Sequence, residues 1–347
     1  MSSVLFQSVK VGNLVLKNRI FMSAAASYTA LENGDLDLHQ PFLHAEIAKG
    51  GCALVPTGGV GGIHPSGRMA ANRPLFDTDE RIPSFKKFAE AIHAGGAAAI
   101  LQATHSGAGA AAYQLSLGRK PFVASFYLKN PKGGCTPDHR VECPALEEEI
   151  RDVISAFGDA AARARKAGFD GIQVHAAHES LLAQWFSPLY NQRTDLWGGS
   201  VENRCRLHCE ILRDIARKAG PDFPVILKLG VEDAFPGGAT EEEGVQAARM
   251  ISEQGNVHIL EISQGLQDIS DLHHSCLRPG ITTLEKEAYF RERTKKVKTA
   301  VGSKALVTLQ GGLRTPKLME EIIEQGEADF VSMCRPYIRE PGLVNRW

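Results

Sequence analysis

The chain has no apolar run of membrane-spanning length, no C-x-x-C cysteine pair and no excess of charge of either sign. Each absence removes a class of protein. A bilayer-spanning helix needs roughly 20 consecutive apolar residues, so no membrane partner is expected. Lys and Arg together number 39 and Asp and Glu 40, a formal net charge of −1. No global field therefore draws the chain to nucleic acid or to an anionic membrane. Seven widely spread cysteines offer neither a disulfide framework nor a structural zinc or iron–sulfur pattern. They read as reduced, mostly buried thiols of a cytoplasmic protein. Residues 1–13 lack a basic stretch leading into an apolar one, so no signal peptide is expected. Linkers, low-complexity tracts and charge blocks are also missing. The whole of 1–347 therefore reads as one domain, with self-association into a homo-oligomer left open.

What is present is an alternation of short β-rich apolar runs and amphipathic helices. The strand candidates are 19–24, 52–57, 98–104, 171–175, 225–229, 258–263, 305–310 and 329–334. Several are almost continuously apolar, as strands buried on both faces must be. Between them, 147–167 carries Ile150, Val153, Ile154 and Phe157 on one helical stripe. Thr240 with Glu243 forms a capping box, and Thr315-Pro316 places a cap and a first-turn proline. Eight such units permit a closed (β/α)8 TIM barrel or an open doubly wound α/β sheet. Two features select the barrel. The G-x-G-x-x-G turn of an open dinucleotide fold is absent after 19–24. Unusual residues cluster instead just after many different strands, the site geometry of a barrel.

Four of those clusters carry chemistry. Gln310-Gly311-Gly312-Leu313-Arg314 and Cys334-Arg335-Pro336 follow strands seven and eight, the turns at which barrels often bind phosphate. Glycine lets backbone N–H groups approach an anion, and Arg335 adds a charged contact; a tight turn with a surface arginine is the plainer reading. Gln102, followed by His105, offers a donor and an acceptor that suit the pyrimidine edge of a flavin. Lys228 lies in the apolar strand Val225-Ile226-Leu227-Lys228-Leu229. There it must meet an anion or a carbonyl dipole. A reduced flavin would provide one, and a salt bridge to Glu261 on the next strand is the alternative. His175 and His178 read H-A-A-H. Residues i and i+3 of a regular strand face opposite ways, so the chain must turn after His175 for both to serve one site. The pair could hold a substrate oxygen, bind a metal or be structural. No third metal ligand sits at diagnostic spacing.

The stretch from His175 to Arg204, H-A-A-H-E-S-L-L-A-Q-W-F-S-P-L-Y-N-Q-R-T-D-L-W-G-G-S-V-E-N-R, closely resembles the signature of the old yellow enzyme family of FMN oxidoreductases. Leu16-Lys17-Asn18-Arg19-Ile20 with Met22-Ser23 is similar to the family's first strand. Ala328-Asp329-Phe330-Val331 with Arg335-Pro336 is similar to its last unit, so the resemblance covers nearly the whole chain. Thr57-Gly58-Gly59 and the ending 339–347 look most like the branch containing 2,4-dienoyl-CoA reductase and trimethylamine dehydrogenase. Larger members of that branch continue beyond the barrel.

The resemblance implies FMN as cofactor and NADH or NADPH as co-substrate. By the same likeness Ser23, Ala24, Ala25, Ala26 and Gly58 would contact the flavin, Gln102 its pyrimidine edge, and Lys228 would stand where arginine is usual. Gly311, Gly312, Cys334 and Arg335 would hold the phosphate. His175 and His178 would grip a substrate oxygen, and Tyr28 would contact substrate. The departures are as informative. Ser180 stands where the family has a proton-donating tyrosine, Ala26 where a threonine or cysteine is usual, and Ala108 where an arginine is frequent. The expected function is an NAD(P)H-dependent FMN oxidoreductase acting on a small activated alkene or carbonyl-bearing compound. The missing tyrosine leaves Tyr28, His178 or the His273-His274 loop as proton donor, or turns the reaction toward amine dehydrogenation or demethylation. A metal-dependent barrel hydrolase using His175 and His178, or a flavin-binding protein without turnover, is the reading from another class.

Overall fold

The computed structural model describes residues 3–25, 30–37, 40–59, 62–128, 140–268 and 275–347. Eight parallel strands close into a barrel in chain order. They are β1 (Ile20–Met22), β2 (Leu54–Pro56), β3 (Ala98–Ala103), β4 (Gly171–Ala176), β5 (Val225–Gly230), β6 (Ile259–Ser263), β7 (Leu306–Leu309) and β8 (Phe330–Met333). β8 pairs with β1 through Val331–Ile20 and Met333–Met22, which closes the ring. The helices that return the chain are α1 (Gln40–Lys49), α2 (Ile82–Ala94), α3 (Glu147–Lys166), α4 (Val201–Ala219), α5 (Glu241–Gln254), α6 (Arg291–Val301), α7 (Pro316–Glu324) and the short α8 (Arg335–Arg339). All eight sequence-predicted strands are present. Their ends differ by one or two residues where the flanking positions leave the ladder.

The outer faces of the strands and the inner stripes of the helices form one large core. Ile150, Val153, Ile154 and Phe157 of α3 are buried in it as the periodicity required. Thr240 and Glu243 make the reciprocal capping box of α5. The cap expected at α7 is different: Pro316 takes the first turn, but the Thr315 hydroxyl donates to Glu287 Oε1 at 2.7 Å and caps nothing. A carboxylate from the preceding connection competes for that hydroxyl and also accepts from the Arg314 and Thr315 N–H groups.

Inside the barrel, composition changes along the strands. The lower layer is apolar, built from Phe21, Leu54, Ala98, Ile100, Ile226, Ile259 and Phe330. Phe21 stacks on Phe330 at 4.5 Å between centroids. A hairpin, Val9–Val11 paired with Leu14–Leu16, adds Val11 and Leu16 to this cluster and plugs that end. The upper layer is polar, so the strands' carboxyl ends open on a different chemistry. A second hairpin, Phe126–Leu128 with Arg140–Glu142, sits in the connection from β3 to α3 and brings Leu128 to the cavity there. Among the described residues no helix is long and apolar enough to cross a membrane.

Candidate active site

A cavity of about 630 Å³ lies at the carboxyl ends of the strands. Its wall includes Ser23, Ala24 and Ala25 after β1, Gln102 of β3, His175 and His178 from β4, and Lys228 of β5. Gly311 and Gly312 follow β7, and Cys334 and Arg335 follow β8. The sequence-predicted set therefore converges on one space, with a single displacement. Gly58 is buried, and the next residue, Gly59, is the one on the wall. Ala26, Tyr28 and the His273-His274 pair lie outside the described residues.

Strand register explains the floor. His175, Lys228 and Glu261 are direct neighbours across β4, β5 and β6. Gln102 is opposite Gln173 across β3 and β4. Gln102 donates to Gln173 Oε1 at 2.8 Å, and Gln173 donates to Glu261 Oε2 at 2.6 Å. The other oxygen of Glu261 accepts from Ser332 at 3.2 Å and from the Ser23 hydroxyl, and lies 3.4 Å from Lys228 Nζ. Of the two alternatives for Lys228, the ion pair with Glu261 is present, and the residue also lines the cavity. Ser23 Oγ lies 2.5 Å from the Gln310 amide. The atom it meets is Gln310 Oε1, a second acceptor beside Glu261 for the one Ser23 proton. The network presents a cation and an amide to a ligand, with the buried charge of Lys228 compensated by Glu261.

β4 supplies the histidines, and a turn brings them together. His178 and Glu179 take left-handed φ values of 51° and 63°. The His178 N–H is held by the Gln264 carbonyl at 3.1 Å. The two imidazoles then lie 5.2 Å apart between centroids, inclined by 68°. His178 Nε2 is 2.6 Å from the Ser263 hydroxyl. His175 makes no side-chain hydrogen bond among the described residues, and its Nδ1 is enclosed without a partner. Burial, reinforced by the Lys228 cation, pushes His175 down to about 3 and His178 well below the ordinary imidazole range. Both rings are neutral near pH 7, and each presents one N–H donor. Ser180 lines the cavity, but its hydroxyl donates back to the His175 carbonyl at 2.9 Å and is not aimed at a substrate. His105 is structural: Nδ1 accepts from the Gly107 N–H at 3.0 Å and Nε2 meets Ser66 Oγ at 2.9 Å.

Arg314 and Glu179 are among the wall residues that sequence reasoning missed. Arg314 joins Arg335 at the β7–β8 side, and neither guanidinium has a hydrogen bond or ion pair among the described residues. Glu179 adds a carboxyl beside His178. The first was legible as the arginine ending the Gly-Gly turn. The second carried no signal, since a loop glutamate is ordinary.

The β7–β8 turns suit an anion. Gly311 and Gly312 adopt φ of +121° and +76°, and the Gly312 N–H is unused among the described residues. A Cβ on either would also press on the Tyr289 ring at 3.0–3.1 Å. Glycine is therefore required by conformation and packing as well as by ligand approach. Two guanidiniums and a backbone N–H, all unpaired among the described residues, with a buried cation and two imidazoles on the wall, fit an elongated group with an anionic tail and a polar ring.

A profile of the NADH:flavin oxidoreductase / NADH oxidase family matches residues 4–347. The chain belongs to that family. FMN is accordingly its cofactor. The NADH oxidase of Thermoanaerobacter brockii is 33% identical over 341 residues, 97% of this chain and 49% of the relative. A multifunctional alkene reductase/demethylase of Caballeronia cordobensis is 31% identical, covering 99% and 48%. The solved 2-naphthoyl-CoA reductase complex superposes with a TM-score of 0.85 at 28% identity, over 99% of this chain and 52% of that one. The chain spans about half the length of the curated relatives it matches.

Proposed function

We propose that residues 1–347 form one FMN-binding barrel that takes reducing equivalents from NADH or NADPH and delivers them to a small activated alkene or carbonyl-bearing acceptor. Bound FMN supplies the two-electron redox chemistry. The chain's own residues do the rest. Arg314, Arg335 and the Gly312 N–H hold the phosphate. Gln102 orients the ring's pyrimidine edge, and Lys228 places a cation where negative charge gathers on reduction. His175 and His178 donate to the acceptor's oxygen. This polarises the conjugated alkene and stabilises the negative charge that appears on oxygen as the β-carbon is reduced.

The observation that carries this reading is the pair of neutral imidazoles on the cavity wall beside the Lys228 cation. The alkene reductase among the relatives supports the acceptor class by its name.

Phenols mimic the oxygen and give a spectral response over an oxidised flavin. Titration of para-substituted phenols into the holoprotein and into His178→Ala tests the site. Losing one hydrogen bond to a charged oxygen is worth about 1.5–3 kcal/mol, so the variant's Kd rises about 10- to 150-fold. Because both imidazoles stay neutral, that ratio holds across roughly pH 6 to 8. Equal responses from the two proteins would make the second histidine structural.

A further inference from the structure

The turn after β4 carries a residue the proposed reading has not used. Among the described residues only His178, Glu179 and Ala288 combine a side chain with positive φ, and the first two are consecutive. The left-handed region is unfavourable for a residue with a Cβ. Glycine would remove that cost, yet position 179 holds a glutamate. The Glu179 carbonyl accepts from Gln184 Nε2 at 2.6 Å, which fixes the turn from its other side. The side chain itself reaches the cavity wall, and among the described residues no group gives its carboxyl a hydrogen bond or an ion pair.

Several other donors on the described part of the cavity wall are engaged elsewhere. The Ser180 hydroxyl is turned to the His175 carbonyl. Lys228 is paired with Glu261. The Tyr289 hydroxyl donates to the Cys276 carbonyl at 2.7 Å. The imidazoles are committed to the acceptor's oxygen, a different atom from the carbon that needs a proton.

We propose that the Glu179 carboxyl donates the proton to the α-carbon of the acceptor. The assignment rests on the reading of the site as one that reduces an alkene conjugated to a carbonyl. When two electrons and a hydrogen arrive at the β-carbon, the alkene π pair moves to the α-carbon and carbonyl oxygen. The Cα–H bond forms with the Glu179 proton, the C=O bond is restored, and Glu179 is left as carboxylate. Water at the open mouth returns its proton. NAD(P)H and one proton are consumed for each alkene saturated. The residue keeps access to solvent, yet desolvation of its carboxyl, with the Asp233 carboxylate nearby, raises its pKa above the ordinary glutamate range. A larger share of it therefore carries the proton at a given pH.

The test follows reoxidation of the pre-reduced holoenzyme by stopped flow in wild type, Glu179→Gln and Glu179→Asp. Two acceptors are compared: 2-cyclohexenone, which needs a proton on carbon, and ferricyanide, which does not. Glu179→Gln is expected to slow the enone reaction about 10²- to 10⁴-fold, leave ferricyanide unchanged and retain FMN. Glu179→Asp should recover part of the loss. An enone rate in Glu179→Gln equal to wild type overturns the assignment, as does an equal loss with both acceptors. Tyr190 also lines the cavity, and the assignment falls if Tyr190→Phe abolishes the enone reaction while Glu179→Gln does not. Wild type that reacts with ferricyanide but with no enone overturns the acceptor class itself and this proposal with it, a result distinct from the others.

Discussion

At the floor of the cavity every charge and amide has a partner, whereas at its rim several have none. Lys228, Glu261, Gln173, Gln102 and Ser23 form one closed network between adjacent strands. Glu179, Arg314 and Arg335 stand around it with a carboxyl or a guanidinium unpaired among the described residues. The difference follows from position. Floor residues sit inside strands or directly at their ends, where register fixes their neighbours and burial makes an unmatched charge costly. Rim residues sit on turns facing an open cavity, where water or a ligand completes them. Floor substitutions should therefore be read in stability, and rim substitutions in binding and turnover.

The sharpest way to break this division is Lys228→Met. It leaves Glu261 buried without its cation, a change that typically costs 3–5 kcal/mol. Urea unfolding of the apoprotein should show a loss of about that size, and Lys228→Met/Glu261→Gln should recover much of it. In the holoprotein the single variant should also lower the flavin's reduction potential or empty the site. Unchanged apoprotein stability would mean the network is not what holds the floor.

Arg335→Met probes the rim. One charge-assisted hydrogen bond is worth about 1.5–3 kcal/mol, so the FMN Kd of the apoprotein should rise about 10- to 150-fold. Fluorescence titration measures this, and apoprotein stability should hold to within about 0.5 kcal/mol. A stability loss with unaltered FMN affinity would place Arg335 in the scaffold and leave the phosphate to Arg314 and the backbone.

The same division explains how much could be read from sequence. The eight strands were legible because burial on both faces writes itself as apolar runs, and Lys228 and Gln102 stood out as exceptions inside them. Convergence on one cavity followed from strand ends alone. What escaped depends on contacts distant in sequence. The left-handed turn at His178 and Glu179 is held by the Gln264 carbonyl from the far side of β6. Glu287, remote from Thr315, takes its hydroxyl from the helix it was expected to cap. Gly59 replaces Gly58 on the wall through a one-residue phase that no local pattern specifies. The 175–204 motif that carried the resemblance is largely scaffold. Asn191 Nδ2 donates to the Trp185 and Trp197 carbonyls, and Arg193 to those of Ala124 and Ala145. Its length reports how the turn after β4 is held, and only its first residues report chemistry.

The smallest expected effect separates strain from function at that turn. If Glu179 is kept for its carboxyl at the expense of its backbone, Glu179→Gly should relieve about 1–2 kcal/mol of left-handed strain. Glycine's greater freedom in the unfolded chain returns about 0.4–1 kcal/mol of that gain. A net stabilisation of a few tenths to about 1 kcal/mol is therefore expected. The thermal midpoint of the apoprotein should rise by a degree or two, while reduction of an enone falls as it does in Glu179→Gln. The pairing of the two signs carries the argument, because a residue needed only for folding cannot be removed with a gain in stability. A fall in stability would show that the Glu179 side chain supports the turn. The rim would then share the floor's character at this one position.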